Sequence, residues 1–452
     1  MRGRASPTAI VRGVATHLEL AVAIADQRDD KGAITSPASS YASQLLWTDH
    51  AVSYQDAAGR WVVLDFANRH HREIDERART VTVKPLQALV SSRDAEVRNC
   101  GEHIYEVLKA GGLPDNDFAP ILAEHHLGVS LSGSRRSLGK RSVFSRLTGG
   151  PDLEIVERKT HTDMIAKARC LMAISHDGHA RPDALAAFTQ FLRHAFGGHP
   201  ALLRWIRGAK QLPASVTLGH LLPMHAGGEV TVRVVAPTAA LRAPASDGFE
   251  ERLSLDGSEP IDAVLRDTRA PTSPSSIEAR CAEALAVLHS ATPLPGLLAF
   301  LELTLEQPVA MPPEVVAVMK SSTDEAVATL LELVQPCAKA DAPARLHAFE
   351  RLRGRAGRMA YLLGAFEAPV HCVLDQRAEA SAALTRVLEA NPRVTGAWKD
   401  LGDLFCPAYD FTHAWLCWDR ARALAPTHSL LADVAAYERR LEADHPEYFR
   451  TA

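Results

Sequence analysis

Along the chain, the spacing of hydrophobic and polar positions changes character near residue 276. Before that point the clearest signal is two-residue alternation. Ala51–Gln55, Trp61–Phe66, His70–Asp75 and Arg79–Val83 are short runs with much β-branched and aromatic content. Turn-prone spacers separate them: Asp56-Ala57-Ala58-Gly59, Ala67-Asn68-Arg69 and Glu76-Arg77-Ala78. Short runs spaced roughly nine residues apart predict an antiparallel meander. His70–Asp75 is polar on both faces, which predicts an exposed or edge strand.

The stretch 86–240 mixes periods. Glu102–Lys109 reads as a short helix ended by Gly111-Gly112, and Leu127–Leu131, Leu153–Val156 and Val230–Val235 read as strands. In Arg181–Ala209, the residues Leu185, Phe188, Phe191, Leu192 and Ala195 recur at three- and four-residue steps, one apolar helix face. Gly197-Gly198-His199-Pro200 breaks that helix, and Ala201–Ile206 opens a second. Strands and helices interleave without a βαβ rhythm, so the expected class is α+β rather than a doubly wound sheet.

Two segments read as loops. Ser132–Gly150 is rich in Ser and Gly and carries Arg135, Arg136, Lys140, Arg141 and Arg146 without an acid. That pattern fits a solvated excursion better than an anion-binding loop. Arg242–Ser276 holds Pro244, Pro260, Pro271 and Pro274 among Ser, Asp and Thr, and reads as a linker, 242–276. The expected organisation is an N-terminal segment 1–42, flexible or a degraded export signal, an α+β domain 43–241, the linker, and an all-α domain 277–452.

From Ile277 onward the pattern is helical, punctuated by prolines that end one helix and open the next. Within it, Trp398, Leu401, Gly402, Phe405, Ala414, Trp418, Ala421 and Pro426 share one set of spacings. Trp398, Leu401 and Phe405 fall on one face of a first helix. Gly402 and Ala414 are small where two helices press together, Trp418 and Ala421 return from the second helix, and Pro426 closes it. In type and spacing these residues resemble the tetratricopeptide repeat, best matched over 395–428, with Trp418 standing where Phe or Tyr is usual. The preceding unit resembles it less: Ala380, Leu384 and Leu388–Pro392 suit a second helix, but the stretch around Tyr361–Cys372 lacks the Trp and Gly of the pattern. Leu430–Leu441 looks like a capping helix. The meander at 43–84 is similar in rhythm to the half-barrel of LolA-like carrier domains.

Composition narrows the functional classes. Hydrophobic content of 46% with 23% charged residues is that of a folded globular chain, and a net charge of −4 gives no electrostatic reason to expect nucleic acid. After residue 276 there are 17 basic against 23 acidic residues, an ordinary acidic helical half. The seven cysteines are scattered and never in CxxC spacing, which argues against a disulfide framework or a zinc knuckle. Ala9–Ala25 is apolar but interrupted by Arg12, His17 and Glu19, so it lacks a signal-peptide core, and no stretch is long enough to cross a bilayer. The compartment stays open between cytoplasm and, if the start is a displaced signal, periplasm or exterior.

No catalytic constellation emerges and no cofactor is implied. His176-Asp177-Gly178-His179 puts two imidazoles three apart beside an acid, yet no spacing supplies the two further ligands that zinc needs, and a surface turn explains them better. The resemblance to tetratricopeptide repeats implies a concave face that holds a protein or peptide. On it Lys399, Asp403 and Cys406 sit one turn apart; Lys399 stands where groove lysines grip a C-terminal carboxylate, but Asp403 replaces the usual amide. The expectation is a non-enzymatic scaffold or adaptor of unknown oligomeric state. The alternatives are a carrier of an apolar ligand or an unrecognised enzyme.

Overall fold

The computed structural model describes residues 16–28, 34–109, 139–140, 153–156, 169–174, 182–197, 200–218, 230–235, 244, 246–255, 257–267, 276–290 and 292–450. The chain forms two compact units. One comprises 1–252 together with 441–452, and the other 253–440. The class is α+β.

The first unit is built on a twelve-stranded sheet. Its strands in chain order are β1 (Thr16–Ile24), β4 (Ser39–Trp47), β5 (Ala51–Gln55), β6 (Trp61–Asp65), β7 (His70–Asp75), β8 (Thr80–Pro85), β9 (Gly139–Lys140), β10 (Leu153–Val156), β11 (Arg169–Ile174), β12 (Pro213–Leu218), β13 (Val230–Val235) and β14 (Glu250–Leu253); β2 (Gln27–Arg28) and β3 (Ile34–Ser36) form a separate ribbon. The spatial order is β14-β8-β7-β6-β5-β4-β1-β13-β12-β11-β10-β9. The four predicted meander strands are all present, paired antiparallel in sequence.

Two expectations are corrected here. Thr16–Ile24, read as a flexible segment or degraded signal, is a strand in the middle of the sheet, paired with β4 on one side and β13 on the other. The polar residues that interrupt its apolar run are what a two-residue period demands: Leu20 and Val22 are buried on one face and Glu19 points to the other. His70–Asp75 is an interior strand, with His71, Arg72 and Ile74 all buried. Its polarity therefore does not mark an exposed edge, since it pairs with β6 on one side and β8 on the other. The expected linker 242–276 holds β14 and a helix, Ile261–Arg266.

Residues opposite one another in register share a face. Leu45, Tyr54, Val62, Leu64 and His71 line one face, on which the helix α2 (Pro182–Phe196) lies. A longer helix, α1 (Leu86–Lys109), precedes it, and α3 (Pro200–Arg207) follows it. The predicted apolar stripe is what α2 presents: Leu185, Phe188, Phe191 and Leu192 are all buried, and Phe191 meets Tyr54 edge-on at 5.1 Å. On the opposite face Leu46, Trp61, Val63, Ile74, Val81 and Val83 form a second apolar cluster. The first two turn spacers end in left-handed residues, Gly59 and Arg69, and the third is followed by one, Arg79. A non-glycine there costs about 1 kcal/mol. Arg69 offsets it by donating to the carbonyl of Phe449 at 3.0 Å and stacking over that ring.

After the last residue of β14, the described elements of the second unit are all helices: α4 (Ile261–Arg266), α5 (Ile277–Leu288), α6 (Leu294–Glu306), α7 (Pro313–Ser321), α8 (Glu325–Leu333), α9 (Ala342–Ala356), a 3₁₀ turn Gly357–Leu362, α10 (Leu363–Val373), α11 (Arg377–Ala390), α12 (Thr395–Phe405), α13 (Phe411–Leu424) and α14 (Ala432–Asp444), whose last residues count with the first unit. Three antiparallel hairpins, α5–α6, α10–α11 and α12–α13, carry the packing. The arrangement is compatible with a helical-repeat region, but not with a strictly linear stack. Helix α6 touches α9, the 3₁₀ turn and α12, so it closes back on a hairpin almost ninety residues downstream, where Thr395 Oγ1 donates to the carbonyl of Glu306, 89 residues away in sequence, at 2.9 Å.

Candidate partner-binding groove

The α12–α13 hairpin is held by the residues that the sequence singled out. Trp398, Leu401, Phe405, Ala414, Trp418 and Ala421 are all at most 3% exposed, and Pro426 stands exposed just beyond the end of α13. A Cβ on Gly402 would come within 2.2 Å of the Trp418 indole nitrogen, so no larger residue fits without moving the ring. The preceding hairpin uses the same device at a place the pattern missed. A Cβ on Gly364 would lie 2.8 Å from the Ala383 carbonyl of α11. Gly364 precedes Gly402 by 38 residues rather than the 34 of the repeat, which hid it from a fixed-period search.

Between the first helices of these two hairpins, α10 and α12, runs a groove of about 640 Å³. Ala368, Pro369 and Cys372 come from α10, Leu384 from α11, Asp400, Asp403 and Leu404 from α12, and Pro407 and Ala408 from the turn after it. A concavity of this size with mainly apolar walls and a few polar groups is the usual form of a binding site.

The three residues proposed from sequence are placed differently from one another. Asp403 is on the groove wall. Its carboxylate accepts from the Trp418 indole at 3.1 Å and lies 2.5 Å from Lys399 Nζ. Burial alone would lower the Lys399 pKa, but the bond to Asp403 outweighs it and holds the ammonium charged. Lys399 is thus engaged within its own helix by Asp403. Cys406 is half-buried at the end of α12. Asp400 and Leu404, which also face the groove, were not singled out from sequence; their four-residue spacing on the same helix was the available signal.

The second helices face the chain's own α4. Asp262 of α4 is buried, and its carboxylate accepts from His413 Nε2 at 2.7 Å, while Asp410 accepts from His413 Nδ1, also at 2.7 Å. Burial disfavours the imidazolium, yet the bonds to Asp410 and Asp262 prevail and raise its pKa to about 9. Arg420 Nη2 donates to the Leu265 carbonyl at 3.0 Å. Helix α4 is therefore pinned on the α11–α13 side, away from the α10–α12 groove.

A second polar cluster joins α5, α6 and the α11–α12 turn. Arg280 bonds Glu306 at 2.6 and 2.9 Å and Glu302 at 3.1 Å, and Asn391 Nδ2 donates to both carboxylates at 2.6 and 2.8 Å. Burial would raise the Glu306 pKa, but these donors hold it below the usual carboxylate range. Tyr361 donates to Glu302 as well. The sequence signal was two acids four apart in the otherwise apolar α6. Each acid is thus met by donors from within the unit, as a buried carboxylate requires.

His176 and His179 lie outside the described residues, as do Leu127–Leu131 and most of Ser132–Gly150. Among the described residues no three His, Cys, Asp or Glu side chains are grouped to hold a metal, and no helix is long and apolar enough to cross a membrane. A scan against family models and a search of curated proteins both returned no match.

Proposed function

We propose that this protein is a non-enzymatic adaptor that holds another protein or peptide in the groove between α10 and α12, and that these hairpins are of tetratricopeptide type. The observation that carries the reading is which side each helix layer faces. The second helices, α11 and α13, are occupied by the chain's own α4, while the first helices leave a mainly apolar groove of about 640 Å³. Repeat hairpins present this same side to their partners. The carrier reading draws less support, because Phe188, Phe191 and the rest of the α2 stripe occupy the sheet face where an apolar ligand would lie. The self-neutralised Arg280–Glu302–Glu306 cluster likewise lends nothing to an enzyme.

The test is site-specific photo-crosslinking with the full chain. A photoreactive amino acid at Leu404 should yield a discrete adduct in cell extract, identified by mass spectrometry. The same probe at Glu314, exposed on α7, should not. Equal labelling from both positions, or none from Leu404, removes the groove as the binding surface.

A further inference from the structure

The groove's charges narrow the chemistry of its partner, a step that rests on the adaptor reading. The carboxylates along it are Asp375, Asp400 and Asp403, against one guanidinium, Arg377. That guanidinium sits over the Phe405 ring, 5.4 Å from its centroid. The three acids are unequally satisfied. Asp403 is held by Lys399 and Trp418. Asp375 pairs with Lys339, both at the solvent surface. Asp400 is different: its ionic neighbour is Lys399 Nζ at 3.9 Å, a nitrogen already committed to Asp403 at 2.5 Å. Burial pushes the Asp400 carboxyl up to about 6, with Lys399 working weakly against it and Asp403 adding to it.

A carboxylate beside Leu404 that is 42% exposed and has no close cation is within reach of an incoming ammonium or guanidinium and can form a charge-assisted bond with it. An incoming carboxylate meets three acids, and of the cations beside the groove Lys399 is engaged by Asp403 and Arg377 is held over the Phe405 ring. We infer that the groove takes an extended cationic-apolar segment, with a Lys or Arg head on Asp400 and apolar side chains over Leu404 and Pro407. Charge complementarity thus selects a basic partner segment and rejects the C-terminal carboxylate that repeats of this type commonly grip.

Fluorescence anisotropy on the full chain tests this with four labelled twelve-residue peptides. Three are capped at both ends and alternate Leu with Lys, Glu or Ser; the fourth is the Ser peptide with a free C-terminal carboxylate. The expected order is Lys tightest, by about tenfold over Ser, with the advantage shrinking as salt rises. Asp400→Asn should weaken the Lys peptide about fivefold. Glu314→Gln removes the same charge far from the groove and should leave binding unchanged, and circular dichroism confirms that each variant is folded. Leu404→Gln keeps the charge and removes an apolar wall, so it reports whether any peptide uses the groove. Tighter binding of the Glu or free-carboxylate peptide, lost on Leu404→Gln, overturns the charge inference and leaves the adaptor reading standing. Peptide binding that ignores Leu404→Gln, or no binding at all, overturns both.

Discussion

Buried histidines in the two units answer to opposite physics. In the helical unit His413 lies between Asp410 and Asp262, and these acids keep it charged up to about pH 9. In the sheet unit His71 is buried on the α2 face, and burial first, then Lys84, lowers its pKa to about 3. His194 on α2 has both ring nitrogens shielded from solvent, packs edge-on against Tyr448 at 5.1 Å, and is likewise pushed far down by burial, with Arg193, His71 and Arg93 adding to it. The difference lies in the partner that each burial supplies. A carboxylate on each side turns an imidazole into a structural cation, whereas an apolar face with basic neighbours forces it to stay neutral.

The linkage follows in sign. A histidine whose folded pKa is raised contributes stability in full below its unfolded value of about 6.5 and loses it as pH rises through about 9. One whose folded pKa is lowered leaves stability intact above about 6.5 and erodes it as pH falls toward 3. The helical unit is thus alkali-sensitive through His413, and the sheet unit acid-sensitive through His71 and His194.

The bluntest way to break the contrast is to open one core and watch the other. Phe405→Ala and Phe191→Ala each remove a fully buried ring and should cost about 3–5 kcal/mol. Hydrogen exchange read peptide by peptide should show lost protection in 395–424 for the first and in 182–196 with β5 for the second. Uniform loss across both units would sink the separation. Next in size is His413→Gln. The rise from about 6.5 to about 9 corresponds to roughly 3 kcal/mol, so urea unfolding followed by helical circular dichroism should weaken by that amount across this range in the native chain and stay flat in the variant. A native profile flat from pH 6.5 to 9.5 would show that the Asp–His–Asp clasp carries no charge.

His71→Phe sharpens the acid side. At pH 5 it should recover about 2 kcal/mol relative to the native chain and little at pH 8, measured by acid titration of tryptophan emission. Equal effects at both pH values would assign the gain to packing instead of protonation. The smallest effect is expected from Lys399→Met. Its ion pair with Asp403 is partly solvent-exposed and should contribute only about 0.5 kcal/mol, fading with salt. A loss several times larger would make that pair an anchor of the hairpin.

Much of this was legible in the residues themselves. Tight spacers ending at Gly59, Arg69 and Ala78 marked the meander to within a residue or two. The stripe Leu185–Phe188–Phe191–Leu192 marked α2, and the eight-residue pattern from Trp398 to Pro426 marked the α12–α13 hairpin. These signals are local, because turn chemistry and helical period act within a few residues. Thr16–Ile24 was missed because its strand character depends on pairing with β13, more than two hundred residues away. Gly364 was missed because a longer inter-helix spacing shifted it from the expected period.

The sequence by itself determined the rhythm of each half and the small residues that let helices press together, because periodicity and side-chain volume are properties of neighbouring positions. Only the tertiary structure decided which acid is neutralised by which base. Lys399 stands on a groove-facing helix in sequence, yet its charge is taken up by Asp403 one turn on, and Asp400 is left short of a cation. His413 and Asp262 stand 151 residues apart and become a charged pair only when α4 docks on α13. Charge state depends on what surrounds a group in space, and that is fixed by packing rather than by order along the chain.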